Sequence, residues 1–302
     1  MSESTETTET TTTTTTAAAT SSTPVCAIVC GHTGATGRAL TALLLADPRV
    51  TRVVTIGRHE YPEANDKLRH VSISDIKETG DVSLPADVAG MDLHAFWVLG
   101  TTRKDAGSAE RFREIDFGGA EGFVKLCKAN PVKNFVLLSS VGASSSSWFL
   151  YPKTKGEIED IVKAADFART GIFRPGLLDR GEERRGNESF ALVFMSGLPV
   201  KKLAMALIRF AFAEGDVKGA NEQKKKDGPE ISVFTNKEIY KMSEEFEKDH
   251  PDVAKVTVPP KTPAAAPPAE EKKPEEEEKP KEEEKPEEKK PEEEKTEEKA
   301  AE

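Results

Sequence analysis

Tyr151 and Lys155 stand four residues apart in the stretch Tyr151-Pro152-Lys153-Thr154-Lys155, and a phenol and an ammonium at that spacing can share one task. On a helix their side chains fall on one face, a turn apart. The chemistry that suits them is proton delivery beside a hydride transfer. Reduction of a carbonyl leaves an alkoxide that needs a proton, and a phenol can give it. A nearby ammonium brings the phenol's ordinary pKa of about 10 closer to neutrality. Pro152 suits the first position of such a helix, where its missing N–H would have no partner anyway. A serine hydroxyl can orient the substrate oxygen, and two adjacent candidates, Ser139 and Ser140, close the apolar run Phe135–Leu138. Counting from the end of that run favours Ser140. A Tyr-x-x-x-Lys pair alone arises often by chance, and the serines Ser144–Ser147 before it read as a plain connector. The pair takes its weight from what lies upstream.

Gly31-His32-Thr33-Gly34-Ala35-Thr36-Gly37-Arg38 follows the apolar run Val25–Cys30. Glycines three residues apart let the backbone turn tightly and approach a pyrophosphate, and a following helix offers its unpaired N–H groups to the anion. This places Gly31, Thr33, Gly34, Ala35, Thr36, Gly37 and Arg38 at a dinucleotide. The second apolar run ends in Gly57-Arg58-His59. NAD sites commonly carry an acid at this point for the ribose hydroxyls, whereas Arg58 can pair a 2′-phosphate, which favours NADPH/NADP over NAD. Asp75 closes the third run, within reach of an adenine amino group. Leu99-Gly100-Thr101 closes the fourth, where glycine lets the backbone pass close to the cofactor.

These residues need a scaffold that brings strand ends together. Apolar runs at Val25–Cys30, Val50–Ile56, His70–Ser74, Ala95–Leu99, Asn134–Ser139 and Thr170–Arg174 read as strands. Helical patterns at Thr36–Leu45, Ala109–Ala129 and Thr154–Ala168 separate them. Repeated β-α-β predicts an α/β fold, a Rossmann-like doubly wound parallel sheet, with ligands at the carboxyl ends of its strands. Leu198–Phe212, interrupted by Lys201, Lys202 and Arg209, reads as an amphipathic core helix rather than a membrane span.

Charge separates the middle of the chain from its ends. The net charge of −10 lies in residues 1–24 and 251–302, leaving residues 25–250 formally neutral. Neutrality of the middle gives no footprint for nucleic acid. The Thr/Ser/Glu-rich residues 1–24 and the Lys/Glu/Pro-rich residues 251–302 have little to bury, and both are expected to be disordered tails through which protein partners could bind. One domain, residues 25–250, is expected between them. Cys26, Cys30 and Cys127 are too few and too scattered for a disulfide framework or a metal site, so no metal is expected. Neither a signal peptide nor a presequence is recognisable, which points to the cytoplasm.

Gly31–Arg38, Gly57-Arg58, Leu99-Gly100-Thr101-Thr102-Arg103, Leu137-Leu138-Ser139-Ser140, Ser146–Lys155 with Gly156-Glu157, and Phe173-Arg174-Pro175-Gly176 together resemble the atypical short-chain dehydrogenase/reductases. Within them they are most similar to the HIV Tat-interacting-protein oxidoreductase group, over residues 25 to 245 or so. The resemblance implies a proton donor at Tyr151 and a ribose-binding lysine at Lys155. It implies NADPH contacts at Thr33, Gly34, Ala35, Thr36, Arg58, Leu99, Gly100, Leu178 and Arg184. His59 stands where the group often has a second arginine. Asp116 stands where related enzymes often keep an asparagine that anchors a relay water. The resemblance also allows nuclear or mitochondrial-surface association.

The expected function is an NADPH-dependent oxidoreductase acting on a small carbonyl or alcohol, with Tyr151, Lys155 and Ser140 as its catalytic set. The alternative is an NADPH-binding regulatory or scaffold protein with little turnover. Substrate specificity would lie after Leu177, including the stretch Gly186–Gly197, where no motif names a ligand.

Overall fold

The structure is a computed structural model that describes residues 23–180, 197–213, 219, 221–224 (backbone only) and 228–261. The two tails beyond those limits, Arg184 and most of the 186–197 stretch lie outside the described residues. One eight-stranded sheet organises the chain, in the order β3-β2-β1-β4-β5-β6-β10-β9. Its strands are β1 (Val25–Cys30), β2 (Val50–Gly57), β3 (Leu68–Ser72), β4 (Asp92–Trp97), β5 (Val132–Leu138), β6 (Arg169–Phe173), β9 (Asn221–Lys224) and β10 (Glu230–Phe234). All neighbours pair in parallel except β10 with β9. A separate two-stranded ribbon joins β7 (Leu178–Asp179) to β8 (Leu198–Pro199).

Period-two alternation splits the core between the faces of the sheet. In β1, Ala27 and Val29 enter one apolar cluster while Cys26, Ile28 and Cys30 enter the other. The first cluster is covered by α1 (Ala35–Ala46), α6 (Val200–Ala211) and α7 (Asn236–Asp249). The second is covered by α4 (Gly119–Ala129) and α5 (Leu150–Ala164). All three cysteines are buried and reduced, and burial pushes the Cys26 thiol up to about 12.

Several boundaries differ from the sequence expectation. The single helix expected over 109–129 is three pieces: α3 (Ala109–Arg113), a π-helical turn (Glu114–Gly118) and α4. Gly119 follows the widened turn at a close approach of the backbone, since a Cβ there would lie 2.8 Å from Ile76 and 3.0 Å from Trp97. Helix α5 begins at Leu150, so Pro152 is its third residue and not its first. That position is still within the turn whose N–H groups lack helical acceptors. Strand β10 and helix α7 were not expected. Their clearest signal is the capping box Thr235-x-x-Glu238 ahead of α7, in which Glu238 accepts from the Thr235 N–H and hydroxyl. The short helices α2 (Arg103–Ala106) and α8 (Pro251–Ala254) complete the set. The fold runs past residue 250, because Val253 is buried and Val256 and Val258 pack against the first cluster.

The order of strands reverses between β1 and β4, and the Val98 N–H donates to the Cys30 carbonyl at that switch. The crevice of such a sheet opens beyond the carboxyl ends of these two strands. Gly31 and Leu99 stand there.

Candidate active site

The glycine loop is shaped by contact with the end of β4. Gly31 has φ +97°, and a Cβ there would sit 2.4 Å from the Leu99 nitrogen, so no other residue fits between the two strand ends. The Gly34 N–H donates back to the Gly31 carbonyl, and Gly34 caps α1 with its own carbonyl, which accepts from Arg38 N–H at 2.8 Å. No side chain caps α1, and its first turn carries no acid. The N–H groups of Ala35, Thr36 and Gly37 therefore face the crevice end of a helix with its positive pole unopposed. An anion such as a pyrophosphate fits that arrangement.

Arg38 does not join it. Its side chain is buried, with Nη1 donating to the Thr33 carbonyl at 2.8 Å and Nε donating to the Pro259 carbonyl at 3.1 Å. The expectation that Arg38 contacts the cofactor is corrected to a bracing role beneath the loop, tied to the segment that follows α8.

Beside the loop, a cleft is lined by Thr33, Gly57, Arg58, His59, Leu99 and Arg111, among others. Arg58 is exposed just past the end of β2, and no ion pair engages it among the described residues. Arg111 was missed, because nothing in its local sequence marks it. It reaches the cleft from α3 and donates to Asp75 at 3.0 Å and to Glu114 at 2.9 Å. Asp75 lies three residues past β3 and caps a 3-10 turn. The Lys77 N–H and then Arg111 hold its carboxyl below the usual carboxylate range, so its oxygens are already engaged. His32 is buried in the loop, donates to the His59 carbonyl at 2.7 Å, and is pushed down to about 4 by burial.

At the other end of the crevice stand Tyr151 and Lys155, on the first turns of α5. The Lys155 ammonium lies 5.8 Å from the Tyr151 ring centroid. Tyr151 is 43% exposed and packs on the Phe112 ring, whereas Lys155 is only 4% exposed. Lys155 Nζ sits 3.3 Å from where a Cβ on Gly100 would lie, so Gly100 leaves room for the ammonium under the end of β4. Its partner there is Asp116, fully buried, with Oδ2 at 2.8 Å. Breaking such a buried pair by removing one member costs about 3–5 kcal/mol.

The two serines separate by environment. Ser139 is buried and its hydroxyl donates to Glu159 at 2.7 Å. Glu159, itself buried on α5, also accepts from Arg174 and Lys163. Ser140 is half-buried and its hydroxyl reaches only its neighbour's carbonyl, at 3.3 Å. The connector Ser144–Ser147 is held against α5, since a Cβ on Gly156 would lie 2.1 Å from the Ser145 nitrogen. Leu178 opens β7, packs on the α1–α6–α7 cluster, and does not line the cleft.

Residues 31–196 match a family described as NAD(P)H-binding. "Protein FMP52, mitochondrial" of Meyerozyma guilliermondii is 34% identical over 227 residues, which is 73% of this chain and 96% of that protein. The chain belongs to the NAD(P)H-binding family. "Protein HTATIP2" of Rattus norvegicus is 38% identical over 174 residues, 57% of this chain and 70% of that one. These relatives agree with membership of the atypical short-chain dehydrogenase/reductases. Among solved structures, DesIV (dTDP-glucose 4,6-dehydratase) from Streptomyces venezuelae, with NAD and TYD bound, has a TM-score of 0.51 at 15% identity, covering 74% of this chain and 80% of that one. A short-chain dehydrogenase/reductase from Saccharomyces cerevisiae has a TM-score of 0.50 at 14% identity, covering 70% and 95%. At such identities the likeness is one of fold.

Proposed function

We propose that this NAD(P)H-binding protein is an NADPH-dependent reductase or dehydrogenase acting on a small carbonyl or alcohol. The observation that carries the reading is the placement of Tyr151, partly exposed, one turn from a buried Lys155 that lies under Gly100 at the crevice. The nicotinamide, when bound, supplies or accepts the hydride. Tyr151 gives its phenolic proton to the substrate oxygen in reduction and takes it back in oxidation. Lys155 holds the nicotinamide ribose hydroxyls, and the Ser140 hydroxyl orients the substrate oxygen. Gly31, Thr33 and the uncapped start of α1 hold the pyrophosphate. Arg58, exposed at the cleft, pairs the 2′-phosphate, and this is the ground for NADPH over NADH.

The test is an NADPH titration followed by turnover of a panel of small carbonyls, with wild type and Tyr151→Phe. Both proteins should bind NADPH, and the variant should lose about 10²–10⁴ of the rate. Cofactor binding with no turnover in either protein would overturn the reductase reading. It would favour instead an NADPH-loaded platform for partners, for which the exposure of Trp148 (100%) and Phe149 (77%) beside Tyr151 speaks. The names of the FMP52 relatives support mitochondrial association over the cytoplasmic location expected from the sequence. Cell fractionation that finds the protein wholly in the cytosol would refute it.

A further inference from the structure

Lys155 has a partner that ribose binding does not require. Its ammonium is 4% exposed, and burial alone drives a lysine towards its neutral form. Asp116 supplies the opposing charge at 2.8 Å, from a π-helical turn that directs a fully buried carboxylate under the end of β4. The same carboxylate is fixed on its other side, where Oδ1 accepts the Thr101 N–H at 2.9 Å. One oxygen thus registers against the Leu99–Thr101 segment while the other holds the ammonium beside Gly100.

The charged neighbours among the described residues are engaged elsewhere. The Leu99–Thr102 segment and the Ser139–Ser140 strand end carry no ionisable side chain. On α5 itself, Tyr151 lies over the ammonium, and Lys153 projects from an exposed position. Glu157 is paired with Arg113, and Glu159 with Arg174 and Lys163. From α4, Lys128 bonds the Ala165 carbonyl at the far end of the helix.

We propose that Asp116 is a positioning residue that keeps Lys155 charged and aimed at the cofactor ribose. This rests on the reductase reading for the use of Lys155, and it is measured without turnover. Asp116→Asn separates charge from shape, because the amide oxygen can still accept the Thr101 N–H but brings no negative charge.

The experiment is the NADPH dissociation constant between about pH 7 and about pH 9.5, a window in which a paired lysine stays protonated. Wild type should bind with a flat profile. Asp116→Asn should bind almost normally at the lower end and weaken roughly tenfold towards the upper end, as the buried lysine, without the Asp116 charge, loses its proton. Asp116→Asn/Lys155→Met should bind weakly at every pH. A flat profile for Asp116→Asn, with or without a uniform loss, would overturn the proposal in favour of a purely structural carboxylate. Should the amide variant not fold, Asp116→Glu restores the charge and must give a flat profile. A folded Asp116→Glu protein whose affinity falls at high pH would also overturn it. Wild type that binds NADPH without turning over any carbonyl refutes the reductase reading and leaves this proposal to its own pH profile. Wild type that binds no NADPH refutes both.

Discussion

Ser139 and Ser140 show how one hydroxyl is committed to structure while its neighbour is left available. Ser139 donates into the buried Glu159–Arg174 network, and Ser140 makes one long local contact. Ser139→Ala should therefore lower the melting temperature, by a loss of about 1–3 kcal/mol for a hydrogen bond to a buried charge, with little change in NADPH affinity. Ser140→Ala should lower kcat on the best carbonyl with the melting temperature unchanged. The reverse pattern in a paired melting and kinetic measurement would exchange the two roles. Arg58 makes a second claim of this kind. Arg58→Ala should weaken NADPH by roughly tenfold or more, the worth of charge-assisted hydrogen bonds of about 1.5–3 kcal/mol, while leaving NADH nearly unaffected. Equal losses in a two-cofactor titration would remove the 2′-phosphate from its role.

Helix α5 is positioned by more than its own sequence. Glu159 ties it to the ends of β5 and β6 through Ser139 and Arg174, and Glu157 ties it to α3 through Arg113. The glycine loop is held with similar redundancy, from Leu99 on one side and from Arg38 and Pro259 beneath. A chain ended after Lys261 should bind NADPH as the full chain does, whereas one ended after Ala254 should bind several-fold more weakly, because the segment that accepts from Arg38 is gone. Equal affinities, measured on folded proteins, would show that the brace does not matter to the loop. Motif spacing made strands β1 to β6, the glycine loop and the Tyr-x-x-x-Lys pair readable, because each is a local pattern with a fixed period. Arg111, Asp116 and the 255–261 segment were not readable as parts of the site in the same way. Asp116 could be singled out by position, but its contact with Lys155 is made from a widened helical turn that no local period announces. Arg111 and Pro259 act across long separations that no local period encodes.

The fold as a whole should be sensitive to acid through two imidazoles. His32 and His94 are both buried and both pushed down to about 4, chiefly by burial. Each is neutral in the folded protein and takes up a proton on unfolding at pH values between about 4 and the ordinary 6.5. Their contribution to stability is complete above about pH 6.5 and is lost as pH falls towards about 4, on the order of 3 kcal/mol for each group. Melting temperature should fall across that interval, and His94→Gln should make the fall shallower. An identical slope in the variant would assign the acid sensitivity to other groups. The bond between Arg38 and Pro259 has a consequence for how the protein is made. Its two residues are 221 positions apart. At synthesis rates of about 5–20 residues per second, roughly ten to forty seconds separate their addition to the growing chain. Throughout that interval the phosphate loop exists without its brace, so a segment translated more than two hundred residues later helps to finish the first site encoded.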